Sequence, residues 1–265
     1  MGRVGAARGG EMSGLRRAPR RRGEAPEDGG RAPAEDAVRE ALERAQAWRT
    51  MARAFAPPRD LAALRDDLAA LRSRARDALE EALATALGAL AGERAEGLAA
   101  AYDALFGAGG SLPPRESAWA DARVIAPAEL ADMRGFLRAF AMQENGELAD
   151  HVATECEVAS ALAMKEAWAL AQGWEERARV AREAYVALFR DHLLRWLPRL
   201  AACVQQARVA AFYAASARSL SLLLAAESAR MGLPPIDGAA PAPAPRLDDD
   251  LVCGGCQTGV LSRGA

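Results

Sequence analysis

The sequence predicts an all-α protein, a single helical bundle flanked by two irregular tails. Three observations carry that expectation. Ala and Leu abound while β-branched residues are scarce, which favours helix over sheet. Apolar residues recur at spacings of three and four through most of the chain. Gly and Pro gather between those periodic stretches, where they punctuate helices. With 265 residues and 51% hydrophobic content, the chain has enough apolar surface for one substantial core.

Residues 1–35 are rich in Gly, Arg and Pro and have too little apolar content to offset the entropy of ordering, so they read as a disordered basic leader. The first helix is expected to start near Ala34. Val38, Leu42, Ala45, Trp48, Met51 and Phe55 then share one face until Pro57-Pro58 stops it. Leu61, Leu64, Leu68 and Leu71, then Leu79, Leu83 and Leu87, predict one or two further amphipathic helices to Leu90. Arg94 to Phe106 continues helically. Gly107 to Gly110 reads as a flexible connector, because a phosphate-binding loop would need a lysine that is missing. Ser111 to Ala126, with Pro113 and Pro114, is expected to be a long loop, and loops of that length pack specifically or carry function.

Ala128 to Met142 predicts a helix, and an acidic turn follows at Glu144 to Glu147. A long helix is expected from Leu148 to Gln172, with Gly173 separating it from Glu175 to Leu194. Pro198 either starts or kinks a last helix reaching Arg230. The folded domain is expected to span residues 36–235. Residues 236–265 form a tail with a Pro-Ala linker, the run Asp248-Asp249-Asp250 and the pair Cys253 and Cys256.

Charge is unevenly placed. The first 34 residues hold eight Arg against four acidic side chains; the remainder holds 26 basic against 32 acidic. A mildly acidic body argues against nucleic-acid binding and suits a basic peptide as partner. No apolar run follows Arg16-Arg17 or Arg20-Arg21-Arg22, so these arginines do not make an export signal. No segment approaches the roughly 18 apolar residues of a membrane span. Four cysteines at uneven spacing do not form a secreted disulfide framework. The expectation is a cytoplasmic protein without stable membrane insertion.

Both histidines follow an aspartate. Asp150-His151 opens the long apolar helix, and two readings of it stand: Asp150 caps the helix through its carboxylate, or the pair contacts a ligand. Asp191-His192 lies among Leu188, Leu193 and Trp196, which predicts a buried imidazole satisfied by a backbone carbonyl. Neither histidine stands in a metal-ligand pattern, and the nucleophile-elbow, phosphate-loop and zinc-protease motifs are absent. Glu155 and Glu157, two apart, fall on different helix faces and do not converge on one substrate. Cys253 and Cys256 offer two of the four ligands of a structural zinc site, leaving open a redox or metal-handling tail beside a mobile one.

Five separated segments resemble, in order, the TorD/DmsD/NarJ-like chaperones that assist maturation of molybdenum-cofactor oxidoreductases. They are Phe55-Ala56-Pro57-Pro58, Pro113-Pro114-Arg115-Glu116-Ser117-Ala118-Trp119 and Met133-Arg134-Gly135-Phe136 with Phe140. Then come Glu147-Leu148-Ala149-Asp150-His151-Val152 with Glu155 and Glu157, and Phe189-x-x-His192-Leu193-x-x-Trp196-x-Pro198. Ala149 departs from the proline usual in the fourth segment. The resemblance covers about residues 38–233 and neither tail.

It implies a TorD-like helical bundle, no enzymatic activity and no cofactor of its own. It further implies binding to the twin-arginine signal peptide or N-terminus of a molybdopterin oxidoreductase's catalytic subunit, as monomer or homodimer. Asp150, His151, Glu147, Glu144 and Glu155 become expected peptide-binding residues, with Trp119, Phe136 and Phe140 beside an apolar groove. The physics of that role agrees: a signal peptide has a basic and an apolar part, and a guanidinium fork matches a carboxylate.

Overall fold

A computed structural model describes residues 31–119, 127–144, 146–207 and 209–234. The helices are α1 (Arg31–Ala54), α2 (Leu61–Arg72), α3 (Asp77–Gly92), α4 (Ala95–Phe106), α5 (Pro127–Ala139), α6 (Val152–Ala171), α7 (Glu175–Leu188), α8 (Leu194–Gln206) and α9 (Ala211–Arg230). No strand occurs among the described residues. The all-α expectation holds, and the tail cysteines Cys253 and Cys256 lie outside the described residues.

α1 begins at Arg31, a turn ahead of the expected start near Ala34. Its apolar stripe of Ala45, Trp48, Met51, Ala52 and Phe55 is buried, and α1 packs along α6. α6 is not a one-sided helix. Val152, Cys156, Val158, Ala159, Leu162, Ala163 and Ala167 are buried, with α1 and α7 packed against it, while Glu157, Met164, Lys165 and Trp168 leave one exposed stripe. Each large apolar side chain in this core contributes about 1.5–3 kcal/mol by burial.

Glu166, on α6, is buried between two arginines: Arg44 Nη2 of α1 donates to Oε2 at 2.6 Å and Arg182 Nε of α7 to Oε1 at 2.7 Å. The carboxylate thereby ties the three helices together. α9 packs on α3 and α8, and its Phe212, Tyr213, Leu220 and Leu224 are buried, Tyr213 against Tyr102 and Phe106 of α4.

Two local features depart from the sequence reading. Gly107 to Gly110 is a bonded turn, not a loose connector: Gly110 N donates to Gly107 O, Ser111 N to Ala104 O and Leu112 N to Leu105 O. A Cβ on Gly110 would lie 2.7 Å from Leu105 O, so the tight turn requires glycine there. Past Leu188 the helix continues as a π-helical turn, Phe189–Leu193, straight into α8. Leu194 N donates to Phe189 O, five residues back. Pro198, inside α8, has no N–H to give Leu194, so both interruptions of the helical ladder fall together and the helix is carried on. The last helix does not reach back to Pro198; α8 ends at Gln206 and α9 begins after a break.

Candidate functional site

The long loop after α4 and the turn before α6 are built against each other. Glu116 N donates to Asp150 O at 2.9 Å and Val152 N to Pro114 O at 2.9 Å, placing Arg115 and His151 side by side like residues of paired strands. The Asp150 carboxylate seals the contact. It accepts from Arg115 Nε at 3.1 Å and from the Ser117 backbone N–H at 3.4 Å, and it is fully buried. Asp150 is therefore a clasp between two loops and does not cap α6.

The cap is His151. Its Nδ1 accepts the Ala153 N–H at 3.1 Å, so the network assigns the ring proton to Nε2, which faces the Tyr102 hydroxyl at 3.4 Å. His151 is also buried, at 3% exposure, and stands just before the first helical residue, Val152. Burial lowers its pKa to about 4, with Asp150 pulling upward and Arg115 downward. A neutral imidazole is what an Nδ1 acceptor requires. Burial likewise raises the Tyr102 hydroxyl, helped by the charge of Glu147.

Behind this clasp lies a buried polar chain. Glu155 Oε2 accepts from Trp196 Nε1 at 2.9 Å, and His192 Nδ1 lies 2.7 Å from Glu116 Oε2. Glu155 is pushed well above the usual carboxylate range by burial and by the neighbouring charge of Glu116, the Trp196 bond opposing. For His192 burial disfavours the charge, but the hydrogen bond and charge of Glu116, with Asp132 3.3 Å from Nε2, raise the imidazole above its ordinary value. Burial and the charge of Glu116 favour the protonated form of Glu155, while Glu116 and Asp132 favour the charged form of His192. His192 is buried as expected, yet its partner is a carboxylate and not a backbone carbonyl.

The expected peptide-binding residues divide between surface and interior. Glu147 is half-buried on the rim, its Oε2 4.0 Å from His151 Nε2. Glu144 is on the outside of α5, paired with Arg134 Nε at 2.8 Å. Asp150 and Glu155 lie in the interior and already have partners, so they do not present free carboxylates to a bound arginine. Trp119 is also internal: Nε1 donates to Pro113 O at 2.9 Å, and the ring lies 6.1 Å from Trp196 with the Arg199 guanidinium over it. Phe136 stands edge-on to His192 at 5.6 Å, and Phe140 is half-buried against the core.

Beside the turn, a cleft of ≈110 Å³ opens between Ala56-Pro57 and α6, with Glu147, Glu157 and Arg59 on its walls. Gly146, at φ +91°, gives the turn its reversal, a conformation a side chain would strain. Tyr102 and Arg59 join the site without any local sequence signal to mark them. Glu116 and Arg115 stand inside the Pro113-Pro114-Arg115-Glu116-Ser117-Ala118-Trp119 segment, but their partners are 35 to 76 residues away. Among the described residues no cluster of His, Cys, Asp or Glu is arranged to hold a metal ion, and no helix is long and apolar enough to cross a membrane.

No curated protein matches the chain. The profile of the nitrate reductase delta subunit matches residues 69–202, half of the chain, and that stretch contains the loop clasp, the His151 cap and the Glu116–His192–Glu155–Trp196 cluster. The chain belongs to the nitrate reductase delta subunit family, a family of molybdoenzyme maturation chaperones.

Proposed function

We propose that this protein is a cytoplasmic chaperone that binds the twin-arginine signal peptide or N-terminus of the catalytic subunit of a molybdopterin-dependent oxidoreductase, holding it until cofactor insertion is complete. The supporting observation is the cleft beside the His151 turn, where Glu147 and Glu157 present carboxylates next to Arg59. In the free protein Arg59 is the guanidinium of that cleft; a ligand arginine would take over its place. Asp150, His151, Glu155 and Trp119 act in this reading as positioning residues, because their bonds fix the turn that carries Glu147. Glu144, Phe136 and Phe140 extend the binding face along α5, where half-buried aromatic edges suit the apolar part of a signal peptide.

Calorimetry of the full chain with a synthetic peptide carrying two adjacent arginines and an apolar run tests this. Binding should be measurable at low salt and weaken as salt rises, since part of it is charge attraction. Glu147→Gln should weaken it by about 0.5–1 kcal/mol, the scale of one exposed ion pair, without lowering Tm. Absence of binding at low salt overturns the proposal.

A further inference from the structure

Exposed apolar surface is concentrated on the hairpin of α6 and α7. Of the seven large apolar side chains exposed among the described residues, four stand there: Met164, Trp168, Trp174 and Val180. Trp168 is the most exposed of them, at 59%, yet its ring is fixed edge-on to Trp174 at 5.0 Å, and the Arg177 guanidinium lies 4.4 Å over Trp174. An exposed tryptophan already held in place loses little freedom when a partner covers it.

The outward stripe of α6 consists of Glu157, Ala161, Met164, Lys165 and Trp168, spaced by three and four like a seam between two helices. No described segment covers it. Its two charges, Glu157 and Lys165, are opposite in sign, each four residues from Ala161, and neither forms an ion pair among the described residues. A second symmetry shares the same centre. Trp168 projects seven residues after Ala161, and Thr154, in the wall of the cleft beside the His151 turn, lies seven residues before it, about 10.5 Å either way.

We propose that this stripe is the contact between two copies of the chain, with α6 running antiparallel to α6 about a two-fold axis at Ala161. Glu157 of each copy then faces Lys165 of the other, and Trp168 of each enters the other's cleft, where the indole meets Pro57 and the Arg59 guanidinium. Ala161 at the centre is small enough for the helix axes to approach to about 8 Å. One axis satisfies both the charge pairing and the fit of ring to cleft, which selects a second copy over an unrelated partner. The pairing stands whether or not the cleft takes a peptide; where it does, dimer and peptide exclude one another.

Sedimentation of the full chain with reductant present and no peptide, at about 1–100 μM, tests this. A dimer that dissociates on dilution is expected. Lys165→Glu sets two like-charge pairs into the contact and should raise the dimer Kd about tenfold, and Trp168→Ala, which removes two anchors at exposed positions, about a hundredfold. Lys165 is the only lysine of the chain. A carbodiimide, which joins an amine to a carboxylate without a spacer, should therefore link Lys165 to Glu157 between isotopically heavy and light copies in a mixture. A monomer throughout the range, a dimer indifferent to both substitutions, open-ended association, or Lys165 links that never join heavy to light copies would each overturn the proposal.

Discussion

At the residue scale, His151 links folding to pH with a definite sign. Its folded-state pKa of about 4 lies below the ordinary 6.5, so its contribution is full above 6.5 and is lost as pH falls toward 4. The difference, at about 1.4 kcal/mol per pH unit, makes an upper bound of about 3.5 kcal/mol. His151→Gln should remove most of this acid-side loss, read as Tm at pH 4 against pH 7. An unchanged pH profile would show that the imidazole is not held neutral by its cap.

Glu155 has the opposite sign. Its pKa is raised, so its contribution is complete below the ordinary carboxylate range and is lost as pH rises toward the folded value. Glu155→Gln keeps an acceptor for Trp196 without a titrating proton. The variant should be at least as stable as the parent at pH 8 and show a flatter decline on the alkaline side in denaturant melts. Marked destabilisation at pH 8 would mean that the carboxyl is ionised in the fold.

At the element scale, the π-helical turn Phe189–Leu193 puts His192 within reach of Glu116 while Phe189, Leu193 and Trp196 remain in the core. The loop from Leu112 to Trp119 has only a single 3-10 turn of regular structure, so its order depends on that ion pair and on the Asp150 clasp. His192→Ala strands a buried carboxylate, a change that costs about 3–5 kcal/mol when a buried pair is broken. Amide exchange should rise first in residues 112–119 and in the turn before α6. Uniform exchange across all helices, or none, would contradict a local role. His192 should therefore matter more for stability than for direct peptide contact, whereas Glu147→Gln should act on binding alone.

At the scale of the whole molecule, the apolar periodicity ends with α9 and its glycine cap, where Met231, Gly232 and Leu233 N–H groups close onto Glu227, Ala229 and Ser228 carbonyls. Truncation after Pro235 should therefore leave Tm within about 1 °C and peptide affinity unchanged, since no described helix is shortened. A truncated chain with a lower Tm would place the domain boundary later. Comparing client activity in cells carrying the full chain, the truncation, or Cys253→Ser with Cys256→Ser would separate any role of the tail cysteines from binding.

The sequence alone determined the helical class and the approximate place of most helices, though not the break between α8 and α9, because periodicities of 3.6 residues and Gly or Pro breaks are local signals. It also marked the two segments that become the clasp, through Pro113-Pro114-Arg115-Glu116 and Asp150-His151. Only the tertiary structure decided what those residues do. An aspartate ahead of an apolar helix reads as a cap, yet Asp150 bonds Arg115 across the loop and leaves capping to His151. Glu155 reads as one more acidic residue for a basic ligand, yet its place on the inner face of α6 buries it against Trp196 and Glu116. The reason is physical: a carboxylate's role depends on whether water or a distant partner solvates it, and that choice is made by chain segments dozens of residues apart.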